Sequence, residues 1–306
     1  MKKSLALLLV AMLLFAGCAT RAGQPQEIAY PTATDVENER VEPPPAPPTP
    51  PPAALPPQAP PPEPAPPPGP DFDAISQLSA EAHGWGHGGP VDERNRSHGA
   101  LLFQQRYSHL GGHFIKPDSE RIYLTFDQGY EYGFTPMILD TLKDKNVPAA
   151  FFLTMHFARE HPDLVQRMVD EGHLIANHST RHRNFPNMTL QDAMDDVMEL
   201  HNFVKDNWGI EMTYFRFPEG SFSEQTLALL QSLGYKSVFW SFAYRDWETD
   251  NQPLTIDAIN LMTTRAHPGG IYLLHSVSRT NAEVLGKVID LLRGDGFELA
   301  RLDLSN

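Results

Sequence analysis

The chain after residue 120 alternates between two kinds of hydrophobic pattern. Short apolar runs predict β-strands at 121–127, 147–154, 174–177, 214–217, 235–242, 271–275 and 297–302. Between these runs, apolar residues recur at helical spacing within longer polar stretches. Strands that alternate with helices are typical of a parallel α/β architecture. We therefore predict an α/β fold, a distorted (β/α) barrel of roughly six to eight parallel strands.

Helix start signals support this division of the chain. Thr135 is predicted to cap a helix that has Pro136 in its first turn. Further helices are predicted to begin near Pro162, Thr189, Ser223, Thr255 and Asn281.

Polar and charged residues fall at or just after the carboxyl ends of several predicted strands. These residues are Asp127, His178, Arg216, Asp246 and His275. The carboxyl ends of the strands of a parallel barrel form one rim, where active sites assemble. We therefore expect one polar site built from residues that are far apart in the sequence.

His178 and His182 lie four residues apart. If the segment is helical, both imidazoles face the same way and can share one divalent ion, with positions left open for water and substrate. The spacing alone is weak evidence, because such pairs are common in surface segments. The neighbouring strand-end residues favour a site that activates water.

The amino terminus has the pattern of an export signal. Lys2 and Lys3 precede an apolar run, 5–15, that is too short to span a bilayer. Small residues then precede Cys18, which resembles a bacterial lipoprotein box, so we predict a signal peptide over 1–18 and lipidation of Cys18. The alternative is an ordinary secretory signal that is removed together with Cys18. The first interpretation predicts an exported lipoprotein anchored on the extracytoplasmic side of a membrane.

Three further regions follow the predicted signal. Residues 19–71 are rich in proline and predict a disordered spacer of polyproline II character, whose stretch 43–70 could reach about 85 Å. Residues 72–120 are predicted to pack on the barrel as a lid or strap. Their glycine-rich segment 83–89 contains histidines that could bind a metal, although such segments are usually loops. Residues 121–306 are the predicted catalytic domain.

The net charge of −14 narrows the classes of partner. Nucleic acid is excluded as a partner, because its binding needs clustered Lys and Arg. The charge also gives no attraction toward an anionic cell wall, so a wall substrate must be captured by a local site. Cys18 is the only cysteine, so no disulfide within the chain is expected.

Several motifs in this order resemble the polysaccharide deacetylases with a NodB-homology domain, carbohydrate esterase family four. The matching segments are Thr125–Gly129, His178–His182, Arg216–Gly220, Asp246–Trp247 and Leu273–His275. The resemblance covers about residues 121–304 and implies the family's seven-stranded type of barrel. One position departs from the family: Gln128 replaces an aspartate that ligates metal. The branch that makes muramic δ-lactam also carries an amide there, and the chain resembles that branch through Tyr130 and Glu131.

The resemblance implies a role for each strand-end residue. Asp127 is expected to be the catalytic base, with Arg216 orienting it and keeping it ionised. His275 is expected to be the general acid, with Asp246 favouring its imidazolium form. His178 and His182 are the implied ligands of a divalent metal, zinc first, whose affinity Gln128 should lower.

The substrate follows less directly from the motifs. The resemblance implies a hydrolase that acts on carbon–nitrogen bonds other than peptide bonds and removes N-acetyl groups from muramic acid residues of peptidoglycan. That substrate must first lose its peptide, which requires a partner amidase. Tyr130, Pro218, Trp240 and Trp247 are the candidate substrate-binding residues. The alternatives are a deacetylase of a chitin-like glycan, poly-N-acetylglucosamine or xylan, and a non-catalytic wall-binding lipoprotein that retains the fold.

Overall fold

The central feature of the fold is a curled parallel β-sheet. The computed structural model describes residues 69–304. Cys18, the predicted signal peptide and most of the predicted spacer lie outside the described residues. The strands of the described residues are β1 (His83–Gly84), β2 (Gly112–His113), β3 (Tyr123–Gln128), β4 (Ala150–Leu153), β5 (Leu174–Asn177), β6 (Tyr214–Phe215), β7 (Ser221–Phe222), β8 (Lys236–Val238) and β9 (Ile271–His275). Seven of these described strands form the sheet, in the order β2-β8-β6-β5-β4-β3-β9.

The sheet curls because the chain beyond β8 turns back towards β9. The Phe242 N–H donates to Ile271 O at 3.2 Å, and Phe242 O accepts from Leu273 N at 2.9 Å. The predicted strand 235–242 therefore consists of two short pieces, one that pairs with β2 and β6 and one that bridges β9. The predicted α/β fold with a barrel-like sheet is confirmed.

Helices cover the outer face of the sheet. The helices of the described residues are α1 (Phe72–Ser76), α2 (His98–Tyr107), α3 (Thr135–Asp144), α4 (Met155–Glu160), α5 (Pro162–Asp170), α6 (Leu190–Trp208), α7 (Glu224–Ser232), α8 (Thr255–Thr264) and α9 (Arg279–Gly294). Outward-facing strand residues such as Phe126 and Phe151 join Leu139 and Val197 of the helices in the main core. None of these described helices is long and apolar enough to cross a membrane.

A second core fills the inside of the curled sheet. It is formed by Tyr123, Ala150, Phe152, Ala176, Tyr214, Val238, Ile271, Leu302 and Leu304. Successive strand residues point to opposite faces. The inward face of β3 that begins with Tyr123 therefore continues through Thr125 to Asp127, and that of β9 continues from Ile271 to His275. The sequence pattern thus delivers apolar residues to the bottom of the barrel and polar ones to its rim.

The predicted strand at 297–302 is wrong. Leu299 makes only an isolated bridge to Ile122. Its apolar residues divide between the two cores: Leu299 joins the main core, whereas Leu302, followed by Leu304, belongs to the core inside the sheet. The end of this apolar run therefore fills the bottom of the barrel instead of adding a strand.

Two helix starts also differ from the prediction. The helix α3 begins at Thr135 itself, and Phe134 is the capping residue, without a side-chain bond. The helix α4 follows β4 directly and was not predicted as a separate element. Thr154 caps that helix by accepting a hydrogen bond from Phe157 N at 3.3 Å.

Residues 72–120 contribute to the sheet and to its rim. The edge strand β2 pairs with β8, and β1 pairs in antiparallel fashion with β7. Trp85 extends the pairing of β1 with β7. Its backbone N–H donates to Gly220 O at 3.0 Å, and its indole N–H donates to Trp240 O at 2.9 Å. Gly220 allows this approach, since its φ is +65° and a Cβ there would lie 2.7 Å from the Trp240 ring.

Candidate active site

Asp127 and Arg216 form a buried ion pair at the rim of the barrel. Arg216 donates from Nη1 to Asp127 Oδ1 at 2.7 Å and from Nη2 to Thr125 Oγ1 at 2.8 Å. Its Nε donates to Val238 O at 3.1 Å, and its guanidinium lies 4.1 Å from the centre of the Phe152 ring. These contacts fix the guanidinium, so Asp127 is held by one oxygen and presents the other to the site.

The environment of Asp127 keeps the carboxyl ionised. Burial opposes ionisation, but the neighbouring guanidinium of Arg216, with smaller contributions from His178 and His275, outweighs it and holds the pKa of Asp127 below its ordinary value. A carboxylate with a depressed pKa is in the basic form at neutral pH. Asp127 is therefore able to accept a proton there.

His178 faces the second oxygen of Asp127. Its Nδ1 lies 2.8 Å from Arg216 O, and because a carbonyl only accepts, Nδ1 carries the proton. Burial lowers the pKa of His178 to about 4, so the ring is neutral at pH 7 and Nε2 carries a lone pair. This Nε2 lies 3.4 Å from Asp127 Oδ2. Two acceptors thus lie side by side, so a water at the open side of the pair can donate a hydrogen bond to either of them.

The two histidines converge although their segment is not helical. His182 and Ser179 have positive φ angles of 51° and 73°. The loop is held by hydrogen bonds from His182 N to Ser179 Oγ and from Ser179 N to Asn177 Oδ1, each 2.8 Å long. The ring centres of His178 and His182 lie 4.9 Å apart. The helical premise of the sequence argument is therefore wrong, whereas the proximity of the two rings is found.

The residues present do not complete a three-ligand metal set. Gln128 is buried, its amide nitrogen donates to Ser276 Oγ, and its Oε1 has no hydrogen-bond partner in the described residues. Among residues 69–304, no group of three His, Cys, Asp or Glu side chains is placed to hold a metal ion. Catalytic zinc sites generally use three protein ligands. The two imidazoles are therefore one donor short of such a site.

His275 and Asp246 form the other titratable pair of the site. Asp246 accepts from the backbone N–H of His275 at 2.8 Å and lies 2.7 Å from its Nδ1. Asn281 donates to the same carboxylate at 2.6 Å. Burial lowers the pKa of His275, but Asp246 more than offsets that effect and raises it above its ordinary value. The imidazolium form is thus favoured, and Nε2 is left to act as an acid.

A cleft crosses the rim and consists of two adjoining cavities of about 550 Å³ each. Both are lined by Asp127, His178, His182, Trp247 and His275. The first, called the Trp240 pocket, is also lined by Trp85, His87, Glu219, Trp240, Tyr244 and Arg245. The second, the Tyr130 pocket, is also lined by Tyr130, Tyr132, His156, Thr180 and Arg181. The catalytic candidates therefore lie where the two pockets meet.

The predicted substrate-binding residues differ in their access to this cleft. Tyr130 and Trp247 are 64% and 50% exposed, and both line it. Trp240 is mostly buried but contributes to the wall of its pocket. Pro218 is buried and lines neither pocket, and its neighbour Glu219 lines the Trp240 pocket instead.

Sequence reasoning missed several residues of the site. Trp85 and His87 line the Trp240 pocket, although they belong to a segment that was predicted to be a glycine-rich loop. Asn281 was predicted only as a helix start. The available signal for Asn281 was its place in the first turn of a helix that follows a rim strand. No pattern in the sequence pointed to Trp85.

The arrangement places a base and an acid in one cleft. Asp127 and His275 have environments that push their pKa values in opposite directions, one below and one above the ordinary value. Paired groups of this kind divide the roles of base and acid between them. Water activated at Asp127 and a proton donated by His275 are the components of a hydrolysis in which the leaving group is poor.

Comparison with known proteins identifies relatives of this chain. Residues 115–238 match the family described as polysaccharide deacetylase. The chain is similar to the peptidoglycan-N-acetylmuramic acid deacetylase PdaA of Bacillus subtilis, with 45% identity over 185 residues that cover 60% of this chain and 70% of that protein. The similarity therefore extends well beyond the motif residues.

Solved structures show the same fold. The structure of Bacillus subtilis PdaA, a family 4 carbohydrate esterase, has a TM-score of 0.69 at 37% identity and covers 73% of this chain and 96% of that chain. A family 4 carbohydrate esterase from Bacillus anthracis has a TM-score of 0.61 at 38% identity and covers 74% of this chain and 96% of that chain. In both cases nearly the whole of the solved chain is matched.

Proposed function

Because the chain belongs to the polysaccharide deacetylase family, we propose that it removes N-acetyl groups from muramic acid residues of peptidoglycan. The observation that carries this proposal is that Asp127 and His275 line one cleft, with environments that favour the ionised carboxylate and the imidazolium that a base and an acid start from. The similarity to a muramic acid deacetylase supports the choice of sugar.

The first step of the proposed reaction is the activation of water. A water that lies beside His178 Nε2 and Asp127 Oδ2 donates a hydrogen to the Asp127 carboxylate, which leaves an oxygen lone pair directed at the acetyl carbon. As the oxygen attacks, its proton passes to Asp127. Arg216 stays on the other oxygen of that carboxylate and fixes its orientation. The product of this step is a tetrahedral intermediate.

The second step releases the amine. The nitrogen of an amide is a poor leaving group unless it is protonated, and His275 is the acid that faces it. Its Nε2 proton passes to the nitrogen while the carbon–nitrogen bond breaks. Acetic acid and a free amine leave, and the acid loses its remaining proton to become acetate. Asp127 gives up the proton that it took from water, and His275 is reprotonated through the solvent, so both groups return to their starting forms. Asp246 stabilises the imidazolium before transfer and keeps Nδ1 engaged throughout.

We expect any divalent cation at the site to be bound weakly. His178 and His182 would hold it, and a bound cation would polarise the acetyl carbonyl. Gln128 supplies no anionic oxygen and its amide nitrogen is occupied by Ser276. We expect dependence on added metal to be shallow, with zinc as the first ion to test.

The proposed location follows from the amino-terminal sequence. Lipidation of Cys18 would anchor the chain on the extracytoplasmic side of a membrane, and the proline-rich stretch 43–70 would carry the domain towards the wall. The substrate would be prepared by an amidase that removes the peptide from muramic acid. After deacetylation, the new amine and the lactyl carboxyl of the same sugar can condense to a δ-lactam with loss of one water.

The test of this function compares two substrates. The full chain would be incubated with intact peptidoglycan and with amidase-treated, peptide-free strands, and released acetate would be measured before and after chelation and with zinc added back. The proposal predicts acetate from peptide-free strands and little from intact wall. Release only from chitin-like or xylan substrates would move the assignment to another acetylated glycan. Wall binding without release from any substrate would indicate a binding protein.

A further inference from the structure

Two arginines line the cleft, and they differ in how they are engaged. Arg181 in the Tyr130 pocket donates to Glu199 at 2.6 Å and to the fully buried Asp196 at 3.3 Å. A cation held between two carboxylates is already neutralised. Arg181 is therefore poorly suited to take up a further anion.

Arg245 in the Trp240 pocket is engaged much more weakly. Its side chain is 69% exposed, and its Nε lies 3.5 Å from the exposed Glu248. Exposed ion pairs of this kind contribute little, so the guanidinium can exchange this partner for another anion. Its planar donors suit a carboxylate in a two-point hydrogen-bonding arrangement.

The backbone at Arg245 is held close to the acid of the reaction. The next residue, Asp246, accepts hydrogen bonds from His275 and Asn281, and its carbonyl accepts from Gln252 at 2.9 Å. The backbone next to Arg245 is therefore held in place, and the exposed Arg245 side chain lines the same pocket as His275. A group bound by Arg245 would lie near the acetamido group under attack.

Muramic acid carries an anion close to its acetamido group. A lactyl ether on the carbon next to the acetamido carbon ends in a carboxyl group, which is an amide while the peptide is attached and a carboxylate after it is removed. The protein has a net charge of −14, and Glu219 lines the same pocket. An anionic sugar therefore needs a local cation to bind there.

We propose that Arg245 is a specificity-determining residue that pairs with the lactyl carboxylate of a peptide-free muramic acid residue. The proposal rests on the function proposed above and explains why the enzyme would prefer peptide-free strands. A peptide-linked muramic acid presents a neutral amide at this position and lacks the charge-assisted bond, which is about twice as strong as a neutral one. The same residue would not contribute to binding of glycans that lack the lactyl group.

The test uses two substrates that differ only in the charge of the lactyl group. Peptide-free strands would be compared with the same strands after conversion of the lactyl carboxylate to its methyl amide. Acetate release would give kcat and KM for the wild-type full chain and for Arg245→Gln and Arg245→Lys. Arg279→Gln is the matched control, because Arg279 is 70% exposed, is paired with Glu283 at 2.8 Å on the surface of α9, and lies outside the cleft.

The expected result is a change in KM confined to one substrate. Arg245→Gln should raise KM for the carboxylate strands by roughly 10- to 100-fold, with kcat changed by less than about threefold, and should leave the methyl amide strands unaffected. Arg245→Lys should recover part of the loss, and Arg279→Gln should match the wild type. An unchanged KM in Arg245→Gln, or an equal loss on both substrates, would overturn the assignment of Arg245 alone. No acetate from either substrate with the wild type would overturn the proposed function and this assignment with it.

Discussion

The chemistry of the site depends on three titratable side chains, Asp127, His178 and His275, that differ in protonation at one pH. Asp127 is held ionised by Arg216, and His178 is held neutral by burial. His275 is favoured as imidazolium by Asp246. The base is thus ionised and the acid is favoured in its protonated form at neutral pH, whereas an isolated imidazole is mostly neutral there.

Asp246→Asn tests the role of the acid pair. Loss of the carboxylate should lower the pKa of His275, because its main stabilising charge is gone. His275 acts only when protonated, so the high-pH side of the kcat profile should move to lower pH, and kcat should fall by roughly 10- to 100-fold. Asp250→Asn, an exposed change in the same segment, should leave the profile unchanged. A high-pH limb that stays in place in Asp246→Asn would show that His275 is not the acid.

Gln128→Asp tests the missing metal ligand. The new carboxylate would supply the third donor beside His178 and His182, so zinc affinity measured by calorimetry should rise by roughly tenfold or more. Gln128→Asn keeps a neutral amide and should bind zinc no better than the wild type. If the wild type already binds zinc as tightly as Gln128→Asp, then the site holds its metal without this donor.

At the residue scale, the sequence predicted side chains that end strands and missed those that approach from elsewhere. The positions of Asp127, His178 and His275 in the site are predictable from the sequence, because strand periodicity locates the carboxyl end of each strand. Asn281 reaches the site only through the packing of α9 against the rim, and Trp85 only through the pairing of β1 with β7. Neither contact has a local pattern in the sequence.

At the scale of whole elements, the segment 72–120 supports one wall of the cleft. Its β1 pairs with the strand that follows the 216–220 motif, and the indole of Trp85 holds the carbonyl of Trp240 in the wall of the cleft. A change in this segment should therefore affect substrate binding as well as stability.

Trp85→Phe tests this coupling. The substitution keeps an aromatic ring but leaves the buried carbonyl of Trp240 without its donor, which should cost about 1–3 kcal/mol in the free energy of unfolding. We expect KM to rise several-fold at the same time, as measured by acetate release from peptide-free strands. Leu102→Ala in α2 is the control, because Leu102 is exposed in the same segment. A loss of stability with an unchanged KM would show that the segment serves only the fold.

The bounds of a strand were predictable where a single apolar run set both of its ends. The strands Leu174–Asn177 and Ile271–His275 lie where the apolar runs placed them. The segment 297–302 has a similar run, but both edges of β3 are already paired with β4 and β9, so the end of the run fills the inside of the sheet. Which apolar run becomes a strand is thus decided by the tertiary arrangement.

Several buried or half-buried histidines couple the stability of the whole molecule to pH. Burial lowers the pKa of His87, His113 and His178 to about 4 in the folded protein. Their ordinary value is near 6.5, so between these two values the unfolded chain binds more protons than the folded one. The free energy of unfolding should therefore fall as the pH falls from about 6.5 to about 4.

His113→Gln isolates one of these protons. Each histidine contributes a slope of about 1.4 kcal/mol per pH unit in this window, and the substitution should reduce the total slope by that amount. Urea unfolding between pH 4 and pH 7 measures the slope. His98→Gln changes an exposed histidine of α2 and should leave it unaltered. Equal slopes in the wild type and His113→Gln would contradict this account of the pH dependence.

The most direct test of the proposed function locates the acetyl group that is lost. Short peptide-free strands would be treated with the wild type and with Asp127→Asn, and each sugar would be identified by tandem mass spectrometry. We expect the wild type to remove acetyl groups from muramic acid residues, as the free amine or the lactam, and Asp127→Asn to leave the strands intact while still binding them. Loss of acetyl groups from the glucosamine residues, or turnover that persists in Asp127→Asn, would contradict the account.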